Sequence, residues 1–427
     1  MQVSQERSGL VRTALVSVGV ALAILGDSTL YAVLPTQVET LGLTAAAVGL
    51  VLSMNRLIRL VSNPLAARLM ARYSHSRLFL GALILAAITS LAWAFPLPIL
   101  VLLIARALWG FCWSILRLTG YLSALSVTPD RRATAFGLFR SIFRVGSLIA
   151  AVAAGLLVER LGFRILMAIV AAVSALGVPF FLWANPLKGT TQANLSVGRR
   201  PRMEKSSWSE WLVGFLGSRN NLWINIGSLL QRLLSTLLAT TMGYYLQHAF
   251  AGDLVLIGAA TLSGLLNAWL WACNITLSPL YGVAMDRWGR RRSLLVLTVL
   301  HVTALTTVGL GFSLISTIVA IMMGLAADIG MEVLLDTLAG DGASDTGDSG
   351  RALAGYSNWV DVGAALGPII GYSIGVSLGL PVLYWIGACL TAVWVAMAYH
   401  RVSPYRPISA TTRERGKGHL PTASNSK

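Results

Sequence analysis

Long apolar stretches, each of about 18 residues or more, alternate with short polar loops over nearly the whole chain. They predict twelve helical spans, at about 13–34, 44–66, 78–95, 98–122, 134–158 and 165–186, then 221–245, 255–281, 293–313, 315–338, 353–376 and 380–400. About 20 apolar residues of helix cross the hydrocarbon core of a bilayer. Inside lipid every backbone N–H and C=O has to be paired within the chain, which selects helices. Barrel strands would show segments of about 10 residues with strict alternation, and no such pattern runs through the sequence. The expectation is an all-α polytopic membrane protein of twelve transmembrane helices, with lipid as its surroundings.

The spans divide into two sets of six. Residues 1–186 form a first bundle, 187–220 a polar linker with a short amphipathic helix, 221–400 a second bundle and 401–427 a polar tail. The linker holds Lys188, Arg199, Arg200, Arg202 and Lys205 and then the amphipathic "SWSEWLVGFLGS", which suits a helix lying at a membrane interface. The segment "AGDGASDTGDSG" (339–350) reads as a flexible acidic loop.

Composition agrees with burial in lipid. Of 427 residues, 56% are hydrophobic and 12% charged, whereas soluble domains carry about 25% charged residues. The net charge of +16 invites a nucleic-acid reading, but its placement argues against one. With the N-terminus in the cytoplasm, roughly 24 basic residues fall on the cytoplasmic side, roughly two outside and roughly seven within spans, as the positive-inside rule requires. Both termini are then cytoplasmic, and the membrane is the cell's inner one. Cys112, Cys273 and Cys389 all lie in apolar runs and read as core residues, with no metal-ligand spacing and no cofactor motif. No G-x-x-x-x-G-K-[ST] loop and no hydrolase or metalloprotease signature is present, so neither ATP-driven transport nor an enzyme is expected.

The two halves repeat. "ARLMARYSHSRLFL" (67–80) follows the second span and "YGVAMDRWGRRRSLL" (281–295) the eighth; the fifth and eleventh spans also match, each with an Arg, then a Gly and a small-residue face. At these residues the chain resembles the major facilitator superfamily, whose loop signature is roughly G-x-L-A-D-R-x-G-R-R. Gly282, Met285, Asp286, Arg287, Gly289, Arg290 and Arg291 fit it; the first copy keeps Leu69, Arg72 and Arg77 but has Ala67, Ala71 and Ser74 in place of the glycines and the acid. "RALWG" opening the fourth span is similar to the family's R-x-x-x-G, with Arg106 and Gly110. The family's antiporter pattern G-x-x-x-G-P-x-x-G belongs to the fifth span; here it stands in the eleventh as Gly363, Gly367, Pro368 and Gly371, with a worn copy at Gly146, Ala150, Ala151 and Ala154. These small residues allow close helix packing, and Pro368 removes a backbone hydrogen bond.

The resemblance implies two pseudo-symmetric bundles, a monomer, and a conformational latch in the loop after the eighth span. Asp286 would sit at a helix N-terminus that favours an anion, with Arg287 and Arg290 pairing to acids at neighbouring helix ends. With Ala71 in place of the acid, Arg72 would belong to a weaker latch. The resemblance also implies a central cavity lined by spans 1, 2, 4, 5, 7, 8, 10 and 11.

Charges at bilayer depth are costly and mark function. Here they are Asp27, Arg56, Arg59, Arg106, Arg117, Arg140 and Arg144 in the first half, and Arg232, Asp328, Glu332, Asp336 and Asp361 in the second. All fall on the spans that the resemblance assigns to the cavity. His301, in the ninth span, reads as a packing residue. Asp328, Glu332 and Asp336 are four residues apart, on one helix face. Mutual repulsion on such a stripe favours keeping a proton on one of them; with the intramembrane acids of spans 1 and 11, the proton-coupling candidates are Asp27, Asp328, Glu332 and Asp361. Arg56, Arg59, Arg117, Arg140, Arg144 and Arg232 are the candidates for holding substrate, through carboxylate or phosphate groups. Because spans 2 and 11 face each other in the family, an ion pair of Arg59 or Arg56 with Asp361 is expected.

The functional expectation is a secondary transporter that exports a small polar, anionic or zwitterionic molecule, such as a drug or a siderophore, against protons by alternating access. An importer of an organic anion and a transport-inactive sensor or assembly protein are the alternatives.

Overall fold

The structure, a computed structural model, describes residues 2–127, 132–184, 222–252, 258–344 and 349–402. The expected linker helix and nearly all of the expected tail lie outside the described residues. Everything regular within them is helical. Span 1 is Gln2–Ala23 followed by Leu25–Val33, span 2 is Ala45–Leu57 with Arg59–Arg72, span 3 is His75–Leu91, and span 4 is Ile99–Leu125. Span 5 is Arg132–Leu161, and span 6 is Phe163–Ala175 with Gly177–Ala184. The second half holds span 7 (Leu222–Ala249), span 8 (Ala259–Trp288), span 9 (Arg290–Leu310), span 10 (Leu314–Ser344), span 11 (from Ser349–Ile370) and span 12 (Leu380–Ala398).

Ten helices among the described residues are long and apolar enough to cross a bilayer, and the two segments of span 1, bent by 41°, make an eleventh together. Span 8 has the length, 30 residues, but falls outside that set. Asn267, Asn274, Thr276 and Ser278 dilute its apolar surface; Asn267 Nδ2 donates to Ser263 O at 3.0 Å, Thr276 to Ala272 O and Ser278 to Asn274 O, both at 2.8 Å, while Asn274 lines the cavity. Bonding back to the carbonyl one turn earlier recurs throughout, as in Ser17 to Thr13, Ser228 to Ile224 and Thr241 to Leu237. A hydroxyl thereby sits in an apolar span without an unpaired group. Large apolar side chains such as Ile104, Ile149, Leu182, Ile315 and Met397 stay on the outside of the bundle, as lipid contact requires.

The acidic segment differs from the expected loop. Span 10 runs on to Ser344, so Asp341 is helical and ion-paired with Arg290 at the start of span 9.

Pseudo-symmetry is legible in the glycines. A Cβ on Gly146 of span 5 would lie 2.7 Å from Ala21 O of span 1; one on Gly363 of span 11 would lie 2.9 Å from Leu229 Cα of span 7. The fifth helix of each half thus lies backbone to backbone on the first. Gly367 and Gly371 continue the same face against Leu233, Leu237 and Thr241. Beyond Pro368, which lacks an N–H, the helix widens into one π turn over Gly371–Gly375.

Spans 2 and 11, and spans 5 and 8, pack across the boundary between halves. At one end the contact is tight. A Cβ on Gly264 would meet Gly155 Cα at 2.7 Å, and one on Gly49 would meet Pro368 O at 2.7 Å. Ser53 Oγ donates to Ala365 O (2.6 Å), Ser263 Oγ to Ala32 O (2.7 Å) and Thr261 Oγ1 to Gly155 O (3.0 Å). All of these contacts lie toward the loop after span 1. Toward the other end, which carries the loops after spans 2, 4, 8 and 10, the halves part around a cavity.

Candidate functional site

The cavity has a volume of about 350 Å³, at the small end of ligand pockets. Arg56, Arg59, Arg117, Arg140 and Arg144 line it from the first half; Arg232, Glu332, Asp336 and Asp361 line it from the second, and Asp27 lies at its inner wall. Each of the six arginines expected to hold substrate reaches the cavity.

Asp27 is fixed. The bend in span 1 comes just before it, and its Oδ1 accepts from Arg106 at 2.7 Å and from Asn55 Nδ2 at 2.9 Å. Arg106 is 0% exposed and also donates from Nε to Val51 O at 3.2 Å. Asn55 passes the network on, because its Oδ1 accepts from Arg59 at 2.8 Å. Arg59 lies over the Trp113 ring at 5.5 Å, and Arg106 over Tyr31 at the same distance, each a cation–π contact. Arg117 reaches Asn63 Oδ1 at 3.4 Å.

Across the cavity, Glu332 is ion-paired with Arg232, and Asp336 accepts a 2.7 Å hydrogen bond from Tyr356 OH. Arg144 bridges the halves without a carboxylate, its guanidinium 4.5 Å from the Trp271 ring of span 8. Asp361 is 5% exposed, lines the cavity and has no partner among the described residues. No ion pair joins it to Arg56 or Arg59 in this conformation; the cavity lies between them.

The acidic stripe on span 10 is not one face. Steps of four residues advance about 40° each on a helix of 3.6 residues per turn, so three carboxylates fan across about 80°. Glu332 and Asp336 reach the cavity. Asp328, 0% exposed, turns away to span 9, where its Oδ1 lies 3.1 Å from His301 Nδ1 but out of line for a hydrogen bond. His301 therefore faces a buried acid as well as apolar neighbours, which the spacing of a single histidine did not reveal.

In the loop after span 8, Arg290 pairs with Asp341, while Arg291 donates to Tyr399 O at 3.2 Å and stacks 4.1 Å over the Tyr399 ring. Asp286, Arg287 and Arg72 are exposed and without partners among the described residues. Gly289 needs its glycine, because its φ is +84° where span 8 turns into span 9; a Cβ on Gly282 would meet nothing within 4 Å. Sequence reasoning passed over Asn55, Trp113, Trp271 and Tyr356. Asn55 was findable as an amide inside an apolar run; the rings were not, since aromatic residues are also ordinary interface anchors.

A helical bundle in two pseudo-symmetric halves around a charged cavity, sealed at one end and open at the other, is the architecture of a membrane carrier. The chain belongs to the major facilitator superfamily, whose family model matches residues 16–260 and 224–425. It is similar in fold to the nucleoside transporter NupG (15% identity, TM-score 0.69, 92% of this chain and 100% of that one). A mutant of the peptide transporter POT is comparable (14%, TM-score 0.71, 92% and 95%). So is a bacterial homologue of the human lysosomal transporter Spinster, inward-facing and unoccupied (14%, TM-score 0.67, 93% and 96%). A search of curated proteins finds no match. The protein is thus a multi-pass membrane transporter of its family, with a small molecule as substrate.

Proposed function

We propose that the protein is a proton-coupled exporter of a small polar, anionic or zwitterionic molecule, working as a monomer in the cytoplasmic membrane with both termini in the cytoplasm. The observation that carries this reading is the cavity itself: arginines on the first-half wall face carboxylates on the second-half wall across about 350 Å³. With the N-terminus inside, as the distribution of Lys and Arg favours, the cavity opens to the cytoplasm, ready to load from within. Alternating access would break the Gly49–Pro368 and Gly155–Gly264 seams and close the cavity end. Asp361 is the carboxylate best placed to carry the coupling proton, because Asp27, Glu332 and Asp336 are engaged by other side chains and Asp328 faces away.

The test compares cells with and without the gene, alongside an Asp361→Asn strain, by untargeted mass spectrometry of medium and cell extract. One compound lost from the medium and accumulated inside, in both the deletion and the Asp361→Asn strain, supports the reading. A compound left in the medium and missing inside would make the protein an importer. No change in either compartment favours the transport-inactive sensor.

A further inference from the structure

Charges inside a protein are ordinarily paired, because an unpaired one has lost its hydration without gaining a counter-charge. The first-half wall of the cavity breaks this rule repeatedly. Arg56, Arg59, Arg117 and Arg144, and the more exposed Arg140 beside them, have no carboxylate within 4.0 Å among the described residues. Arg59 is the deepest, 6% exposed, and is held by an amide oxygen and an indole ring rather than by an anion. The Nε atoms of Arg56, Arg59 and Arg144 are all buried without an acceptor. The one acid on that wall, Asp27, is already neutralised from behind by Arg106, which does not line the cavity. Six lining arginines then face three remaining carboxylates, Glu332, Asp336 and Asp361, an excess of three positive charges.

We infer that this wall is an anion subsite, and that the ligand it takes is a compact polyanion carrying two or three negative charges as carboxylate or phosphate groups. Guanidinium forks match those groups in shape, with two parallel N–H donors to two oxygens. A monoanion would leave most of the excess unbalanced, and an organic cation would be repelled. Arg59 and Arg144 would hold the anion from spans 2 and 5, and the Asn55, Trp113 and Trp271 contacts hold these guanidinium groups in place. The inference rests on the transport reading only in taking this cavity as the substrate site, and it narrows the substrate from any polar anion or zwitterion to a polyvalent one.

The test is equilibrium binding to the purified full-length protein in lipid nanodiscs, by calorimetry and thermal shift at constant ionic strength. The probes are citrate, inorganic phosphate and acetate. Citrate or phosphate binding at least about tenfold tighter than acetate is expected, with Arg59→Gln and Arg144→Gln each weakening it by about tenfold or more, the loss typical of a charge-assisted hydrogen bond. Arg164→Gln, exposed at the start of span 6 and outside the cavity, should bind unchanged. Citrate alone would point to a polycarboxylate and phosphate alone to a phosphate ester. Should Arg59→Gln fail to fold, Arg140→Gln, exposed on the cavity wall, serves in its place. Acetate as tight as citrate, no binding of either polyanion, or full affinity in the Gln variants overturns the subsite. Because binding is read without transport, failure here leaves the exporter to the mass-spectrometric test. Export of a net cation would sink the polyanion inference and leave transport standing.

Discussion

Replacing Arg106 by Met removes the cation that neutralises Asp27. The substitution takes away the 2.7 Å ion pair and the 3.2 Å bond to Val51 O, at a site where Arg106 is 0% exposed and the Asp27 side chain 13% exposed. Orphaning one member of a buried pair costs about 3–5 kcal/mol. The low end applies here, because Asn55 Nδ2 still donates to Asp27 at 2.9 Å and the cavity lets some water reach the carboxylate. At about 2 °C per kcal/mol for a large chain, a loss of about 3 kcal/mol lowers the unfolding midpoint by roughly 6 °C. Asp27→Asn in the same background removes the stranded charge. The double variant Asp27→Asn/Arg106→Met should therefore recover more than half of the loss, although Arg106→Met is the more disruptive single change. Thermal unfolding of the four proteins of this double-mutant cycle in one detergent reads the coupling directly. If the double variant is no more stable than Arg106→Met, the pair is not what holds this part of the first bundle, and the assignment of Asp27 to structure rather than to proton traffic is refuted.

Gly264→Leu wedges spans 5 and 8 apart at their backbone contact and should shift the carrier toward opening at the sealed end. Alkylation of a cysteine introduced at Ser53 should then speed up relative to the unsubstituted seam, and an unchanged rate would contradict the seam's role. Asp341→Asn removes a half-exposed pair with Arg290, so its thermal stability should fall by less than about 1 kcal/mol, measured as unfolding midpoint. Tyr384→Phe loses the 2.8 Å hydroxyl contact with Thr241 between spans 7 and 12 and should cost about 1 kcal/mol by the same measurement; a loss several times larger would mean that the ring moves as well.

The sequence by itself determined the class and the plan. Twelve apolar spans, a loop motif repeated after the second and eighth, and a strong bias of Lys and Arg toward one face follow from the thickness of a bilayer and the cost of unpaired backbone groups within it. The cost of charge in lipid likewise singled out Arg56, Arg59, Arg117, Arg140, Arg144 and Arg232 as candidates before any geometry was available, and all six line the cavity. Partners were a different matter. Asp27 pairs with Arg106, 79 residues away, and Arg59 with the amide of Asn55, while Asp361 has no ion pair or hydrogen bond among the described residues; nothing in their spacing distinguishes these three fates. Asp328 and Asp336 look equivalent at intervals of four, yet the 40° drift per step sends one to His301 and the other to the cavity. Tertiary structure alone decided which charges are neutralised and which line the cavity unpaired, because pairing depends on the rotation of each helix about its axis and on its contacts with distant neighbours. A hydrophobic pattern that is apolar on nearly every side does not encode that rotation.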